Sequence, residues 1–189
     1  CFYSLKEFTK YNNYLSEISK KDPTNIRAAT ISAFVSHQLD ITNVHPFCKK
    51  PIDYISITNI NSLLKPLKFI DFSREVSDFK ALWESSGKVT IQAFKTHGNI
   101  FDYKTKCILK LKELILNQVE KYRKKFATRE DCIITRWPRS FILYGWHVKY
   151  LRLGRQDKHI HPDAWISGGF YIKIPKNRMN NEGSIRFDL

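Results

Sequence analysis

At 189 residues the chain is long enough to bury a sizeable core, which allows one good-sized domain with a helical extension. Lys and Arg outnumber Asp and Glu by 32 to 18, a formal net charge of +14, yet the basic residues run from Lys6 to Arg186 with no RNP-like, GxxG or basic-zipper order. A sequence-specific nucleic-acid reader is therefore not expected, only weak, salt-sensitive adsorption. No apolar stretch approaches the roughly 20 residues that cross a bilayer, and the start lacks the basic-then-apolar pattern of a secretory signal, so no membrane is expected as a partner. Cys1, Cys48, Cys107 and Cys132 are scattered without a CxxC pair, which argues against a zinc knuckle and a disulfide framework and for a reducing, cytoplasmic setting. A first residue of Cys1 points to a piece of a longer protein rather than to a lipid-bearing N-terminus.

In chain order, Leu5, Phe8, Tyr11, Leu15 and Ile18 recur at three-to-four spacing, "KKDPTN" interrupts, and Ile26 to Leu39 reads as a second helix. Residues 1–45 are thus expected to form a helical hairpin, the possible end of a helical repeat array. "NVHPFCKKPIDYISITNI" is a proline-punctuated connector into "SLLKPLKFIDF", where Pro66 prevents a long helix. Gly87 marks a turn, Val89, Ile91 and Phe94 a strand-like run, and Gly98 another turn. From Tyr103 to Phe126 the residues Ile108, Leu111, Leu114 or Ile115, Val119, Tyr122 and Phe126 share one face, which predicts an amphipathic helix with its lysines in solvent. Beyond Arg129 the period changes to two: "CIITRW", "SFILYGWHVKYLRL", "AWISGGFYIKI" and "GSIRFDL" predict four β segments with short connections. Helices first and sheet second give an α+β fold, with the strands forming an antiparallel sheet or part of a jelly-roll barrel.

Within this half lies "KHIHPDAWISGGFYIKIP". In an extended strand residues i and i+2 project to one side, so His159 and His161 can offer two imidazoles to a single point. A solvated turn tolerates the same pair, and spacing alone does not decide. The run from Trp165 to Ile174, interrupted by Gly168-Gly169 and ended by Pro175, predicts a buried strand with a local bulge.

Taken together, "GWHVKYLRLGRQDKHIHPDAWISGGFYIKIPKNRMNNEGSIRF" resembles the core of the 2-oxoglutarate- and iron(II)-dependent oxygenase family, with its tryptophan-led strand, HIHP pair, SG-YY strand and G-I-F strand. The upstream "KPIDYISI" and "WESSGKVTIQAFKTHGNIFD" resemble that family's leading segments, including the versions found C-terminal to tetratricopeptide repeats; the likeness covers about Pro51 to Leu189. It implies that residues 46–189 form a partial double-stranded β-helix, or jelly-roll barrel, buttressed by the helix at 103–126. It further implies Fe(II) and 2-oxoglutarate as cofactors, O₂ as co-substrate, and a hydroxylase-type dioxygenase acting on a small molecule or a protein side chain. His159 and His161 match the paired positions, which favours ligands over a solvated turn, and iron(II) accepts such imidazole and carboxylate donors. "HIHPD" also allows His161 with Asp163; the first pair is preferred, with Asp163 as a reserve ligand or second-shell acceptor. His147 reads as an ordinary strand residue.

The family pattern also calls for a further histidine and a basic residue gripping the far carboxylate of 2-oxoglutarate, on strands expected after "GSIRFDL". His37, His45 and His97 are not natural replacements, and Lys173 is the candidate cation within the chain. Activity of this truncated chain is accordingly not expected, although the parent protein is expected to be an enzyme. Four β segments do not close a barrel of about eight strands, so an open edge and self-association are expected. The alternatives are a cupin-like metal enzyme, which would normally add a glutamate a few residues on, and a non-enzymatic basic binding module.

Overall fold

The computed structural model describes residues 2–60, 69–171 and 182–187. Among them are five α-helices and a three-stranded antiparallel sheet, so the fold is α+β. Two compact units interleave along the chain: Cys1–Ile57, Tyr122–Arg139 and His161–Leu189 make the first, and Thr58–Lys121 with Ser140–Ile160 the second.

The first unit opens with α1 (Phe8–Lys21) and α2 (Ile26–Gln38), the predicted hairpin. Tyr11 and Leu15, one turn apart, are buried, whereas Leu5, Phe8 and Ile18 of the same stripe stay exposed, so the contact stripe is narrower than the periodicity suggested. Between the helices the Asp22 carboxylate accepts the Thr24 N–H at 3.0 Å, and the Asn25 side chain caps α2 by accepting the Ala28 N–H at 2.9 Å. Below the hairpin, Ala29, Phe47, Cys48, Tyr54, Phe126, Ile133 and Ile134 form one core cluster, joined at its margin by Trp137, Trp165 and Ile166.

The second unit contains α3 (Phe69–Ser77), β1 (Ala81–Trp83), β2 (Thr90–Thr96), β3 (Val148–Gln156) and most of α4 (Lys106–Lys125). β2 is the central strand: Ala81 pairs with Thr96 and Trp83 with Phe94 on one side, Lys95 with Val148 and Thr90 with Gln156 on the other. Gly87, at φ +86°, lies in the β1–β2 connection, a conformation glycine adopts without steric cost. Opposite Ile91–Ala93 the register slips, and β3 carries extra residues between Tyr150 and Arg155. Gly154 is required there, because a Cβ would stand 2.6 Å from the Gln92 carbonyl oxygen. On α4, Ile108, Leu111 and Leu114 of the predicted face are buried, and Cys107 is buried beside them. Thr105 starts this helix: its hydroxyl accepts the Ile108 N–H and donates to the Glu75 carboxylate.

Of the four β segments predicted after Arg129, only the second contains a strand among the described residues. Cys132–Thr135 of "CIITRW" is instead a single helical turn, α5, because Ile133 and Ile134 are both buried and alternation cannot bury neighbours on one face. The N–H groups of Cys132 and Ile133 donate to the Pro46 and Phe47 carbonyls, which replaces a ladder. In "SFILYGW" the backbone is irregular up to His147; the Asn99 side chain accepts the Gly145 N–H at 2.9 Å and donates to the Leu143 carbonyl at 3.2 Å. The expected strand from Trp165 is also irregular as far as Tyr171, since Trp165 and Ile166 both turn to the core cluster and the Trp165 indole N–H donates to the Ile133 carbonyl at 3.0 Å. Residues 172–174 of that segment, and Pro66 upstream, lie outside the described residues. "GSIRF" is exposed and has no regular structure.

Candidate functional site

The HIHP loop follows the longest strand among the described residues. β3 ends at Gln156, and the Asp157 N–H donates to the Val89 carbonyl at 2.8 Å, which ties the start of the loop to the β1–β2 connection. The Arg155 Nε donates to the Asp157 carboxylate at 3.1 Å. His159 is exposed, with its Nδ1 2.7 Å from the Asp157 carbonyl oxygen. Since a carbonyl only accepts, Nδ1 carries the proton in this contact. His161 is half-buried, and its carbonyl accepts the Ala164 N–H at 3.1 Å, closing a turn over Pro162-Asp163. The extended geometry expected across 159–161 is not strand; a bend at Lys158 comes between β3 and the histidines.

Asp163 points to another partner. Its carboxylate lies 3.3 Å from the Arg27 guanidinium, with both side chains largely in water, so the pair contributes little energy. Lys173 lies outside the described residues. His147 is half-buried just before β3, its N–H donating to the Thr96 hydroxyl and its carbonyl accepting the Thr96 N–H. Burial, aided by the Lys149 charge, pulls its pKa below the usual histidine range, which favours the neutral ring.

In residue type, two imidazoles and a carboxylate suit iron(II). In number they fall short, because among the described residues no three His, Cys, Asp or Glu side chains gather into a group that could hold a metal ion. His159 and His161 are the donors the loop offers, and Asp163 would have to leave Arg27 to join them.

Two polar constellations in the first unit were not foreseen from sequence. In the connector, Asn43 accepts from the Ser32 hydroxyl at 2.7 Å and the His45 N–H at 3.2 Å, and donates to the Cys48 and Lys49 carbonyls. His45 is fully buried with Nδ1 accepting the Phe47 N–H at 3.2 Å, and burial lowers its pKa. The second is a clamp beneath the helical hairpin. Tyr54 donates to the Asp131 carboxylate at 2.5 Å, Tyr122 donates to the Tyr54 carbonyl at 3.0 Å, and the Arg129 guanidinium covers the Tyr54 ring while pairing with Asp53 at 3.6 Å. Burial pushes the Tyr122 phenol and the nearby Cys48 thiol each up to about 12, so this thiol is an inert core group and not a nucleophile. Only "N-x-H-P-x-C" hinted at the first constellation, and separations of 68 and 77 residues hid the second.

Among the described residues no helix is long and apolar enough to cross a membrane. Compared with protein-family models, with curated proteins and with solved structures, the chain finds no match.

Proposed function

We propose that the chain carries part of a 2-oxoglutarate- and Fe(II)-dependent oxygenase, with β1–β3 as a portion of its double-stranded β-helix and the HIHP loop as its metal-facing edge. The observation that carries the reading is the ordered series of motifs from Gly145 to Phe187, with the histidine pair placed shortly after β3. Iron(II), when bound, supplies the redox chemistry that couples 2-oxoglutarate decarboxylation to oxidation of a substrate by O₂. The chain's own part is to hold and orient. His159 and His161 offer imidazole donors, and the Asp157 carbonyl orients the His159 ring, as the partners of ligating histidines commonly do. Asp163 is the reserve carboxylate, released from an exposed ion pair at small cost. Lys173 is the candidate cation for the distal carboxylate of 2-oxoglutarate. With two protein donors in the loop, affinity is modest and falls with pH, since protonated imidazole does not coordinate.

The test is anaerobic titration of the chain with Fe(II), then with 2-oxoglutarate, beside His159→Ala/His161→Ala. The expected result is metal uptake by the wild type alone, followed by a visible charge-transfer band as the 2-oxo acid chelates the metal. Equal uptake by both proteins removes the histidine pair as the site. Uptake by the wild type with no response to 2-oxoglutarate removes the oxygenase reading while leaving a metal site.

A further inference from the structure

One stretch of the first unit is denser in cations than the chain as a whole. Between Tyr122 and Arg139 stand six cations, Arg123, Lys124, Lys125, Arg129, Arg136 and Arg139, all exposed, against Glu130 and Asp131. Asp131 is engaged by the Tyr54 hydroxyl, and Arg129 by Asp53. Lys124, Arg136 and Arg139 have no carboxylate partner among the described residues. The local helix rule explains part of this, because cations in the last turn of α4 complement the negative end of its dipole. It does not explain Arg136 and Arg139, which lie beyond α4 and outside any helix of useful length. Folding nonetheless brings the end of α4 to the residue next to Arg136: the Arg123 guanidinium lies 5.8 Å from the centre of the Trp137 ring, and Tyr122 packs on the same ring at 6.3 Å. That cation–π contact also orders a side chain that would otherwise lose freedom on binding.

We propose that this stretch, from the last turn of α4 to Arg139, binds the sugar-phosphate backbone of nucleic acid without sequence preference. Arginine suits phosphate through its planar fork of donors, and a chain of evenly spaced phosphates complements several cations at once. A membrane surface fits less well, because none of the exposed large apolar side chains among the described residues lies between Tyr122 and Arg139 to insert into lipid. The inference is independent of the iron reading, since it uses none of its residues.

The experiment measures fluorescence anisotropy of labelled oligouridylate and oligothymidylate, about 15 nucleotides long, with the full chain. If Arg123, Lys124, Lys125, Arg136 and Arg139 each meet a phosphate, the log–log salt slope is about −3.5, and binding weakens about 100-fold between about 50 and 200 mM salt. Lys124→Gln/Arg136→Gln/Arg139→Gln keeps Arg123 on Trp137 and Arg129 on Asp53. It is expected to bind more than tenfold more weakly at low salt, with a slope near −1.4. Lys20→Gln/Lys80→Gln/Lys88→Gln removes the same charge elsewhere and is expected to stay within about twofold of the wild type. Should the triple variant melt early, Arg139→Gln alone carries the test, with a slope shallower by about 0.7. Equal losses in the two triple variants would mean diffuse attraction and overturn the proposal, as would the absence of binding at low salt. Tighter binding to phosphatidylserine vesicles than to either oligomer would also overturn it, in favour of a lipid surface.

Discussion

Replacing Tyr54 by Phe tests the clamp beneath the helical hairpin, because it deletes one hydroxyl and leaves the ring. The ring keeps its packing on Phe126, 5.1 Å between centres, and its place under Arg129, while the Tyr122 hydroxyl still reaches the Tyr54 backbone carbonyl. What is lost is the 2.5 Å bond to the half-buried Asp131 carboxylate. A hydrogen bond to a charged group contributes about 1.5–3 kcal/mol, and partial access of water to Asp131 favours the lower end. At about 1.5 kcal/mol, a chain of this length melts about 3–6 °C lower. Asp131→Ala completes a double-mutant cycle cleanly, since Asp131 stands at the start of α5 without capping it by a side-chain bond. Urea denaturation of the four proteins is expected to give a coupling of about 1 kcal/mol or more. The same variant has a signature at high pH. Burial first, then the Asp131 bond and charge, hold the Tyr54 phenol above its usual range, so the folded chain keeps a proton that the unfolded chain loses near pH 10. Stability from this source is complete below that pH and is lost as pH rises beyond it, at up to about 1.4 kcal/mol per pH unit. Tyr122 acts with the same sign from about pH 10, and Cys48 from about pH 9. Tyr54→Phe should therefore lose stability less steeply above pH 10 than the wild type. A coupling below about 0.3 kcal/mol, with unchanged alkaline slope, would refute the clamp.

Gly145→Ala is expected to cost about 1–3 kcal/mol, because its Cβ would stand 2.5 Å from Phe101 Cε2, whereas Gly168→Ala, with nothing within 4 Å, should stay near wild type in the same thermal melts. His45 works at acid pH: burial lowers its folded pKa, with the Asp22 charge opposing, so the unfolded chain takes up the proton first. Stability is then full above about pH 6.5 and falls as pH drops below it. His45→Gln should flatten that acid slope in urea denaturation between about pH 7 and 5, and an unchanged slope would exclude His45 as its source.

What the sequence determined by itself was local. The helical hairpin, the long amphipathic helix and the strand around Ile91 follow from periodicity and punctuation over fewer than about 20 residues, where side-chain spacing, Asn25 and Gly87 act within a turn or two. The position of the HIHP pair after a strand was legible too, since chain order alone gives it, but the expected extension across 159–161 was not met. What tertiary structure decided was the fate of short apolar runs. "CIITRW" and "AWIS" read as strands by composition, but a run of four to eight apolar residues suits either a sheet or the wall of a core. Here the carbonyls of Pro46 and Phe47, and the cluster around Phe47 and Phe126, claimed them. The partners of Asp163 and Tyr54 were likewise invisible in the sequence. Arg27 lies 136 residues from Asp163, and Asp131 lies 77 from Tyr54. Hydrogen-bond satisfaction across such separations is set by how the backbone closes, since a buried polar group takes whatever complementary atom the fold brings within about 3 Å. The contact of Arg123 with Trp137 arose in the same way, when packing of an aromatic side chain brought it beside the end of α4.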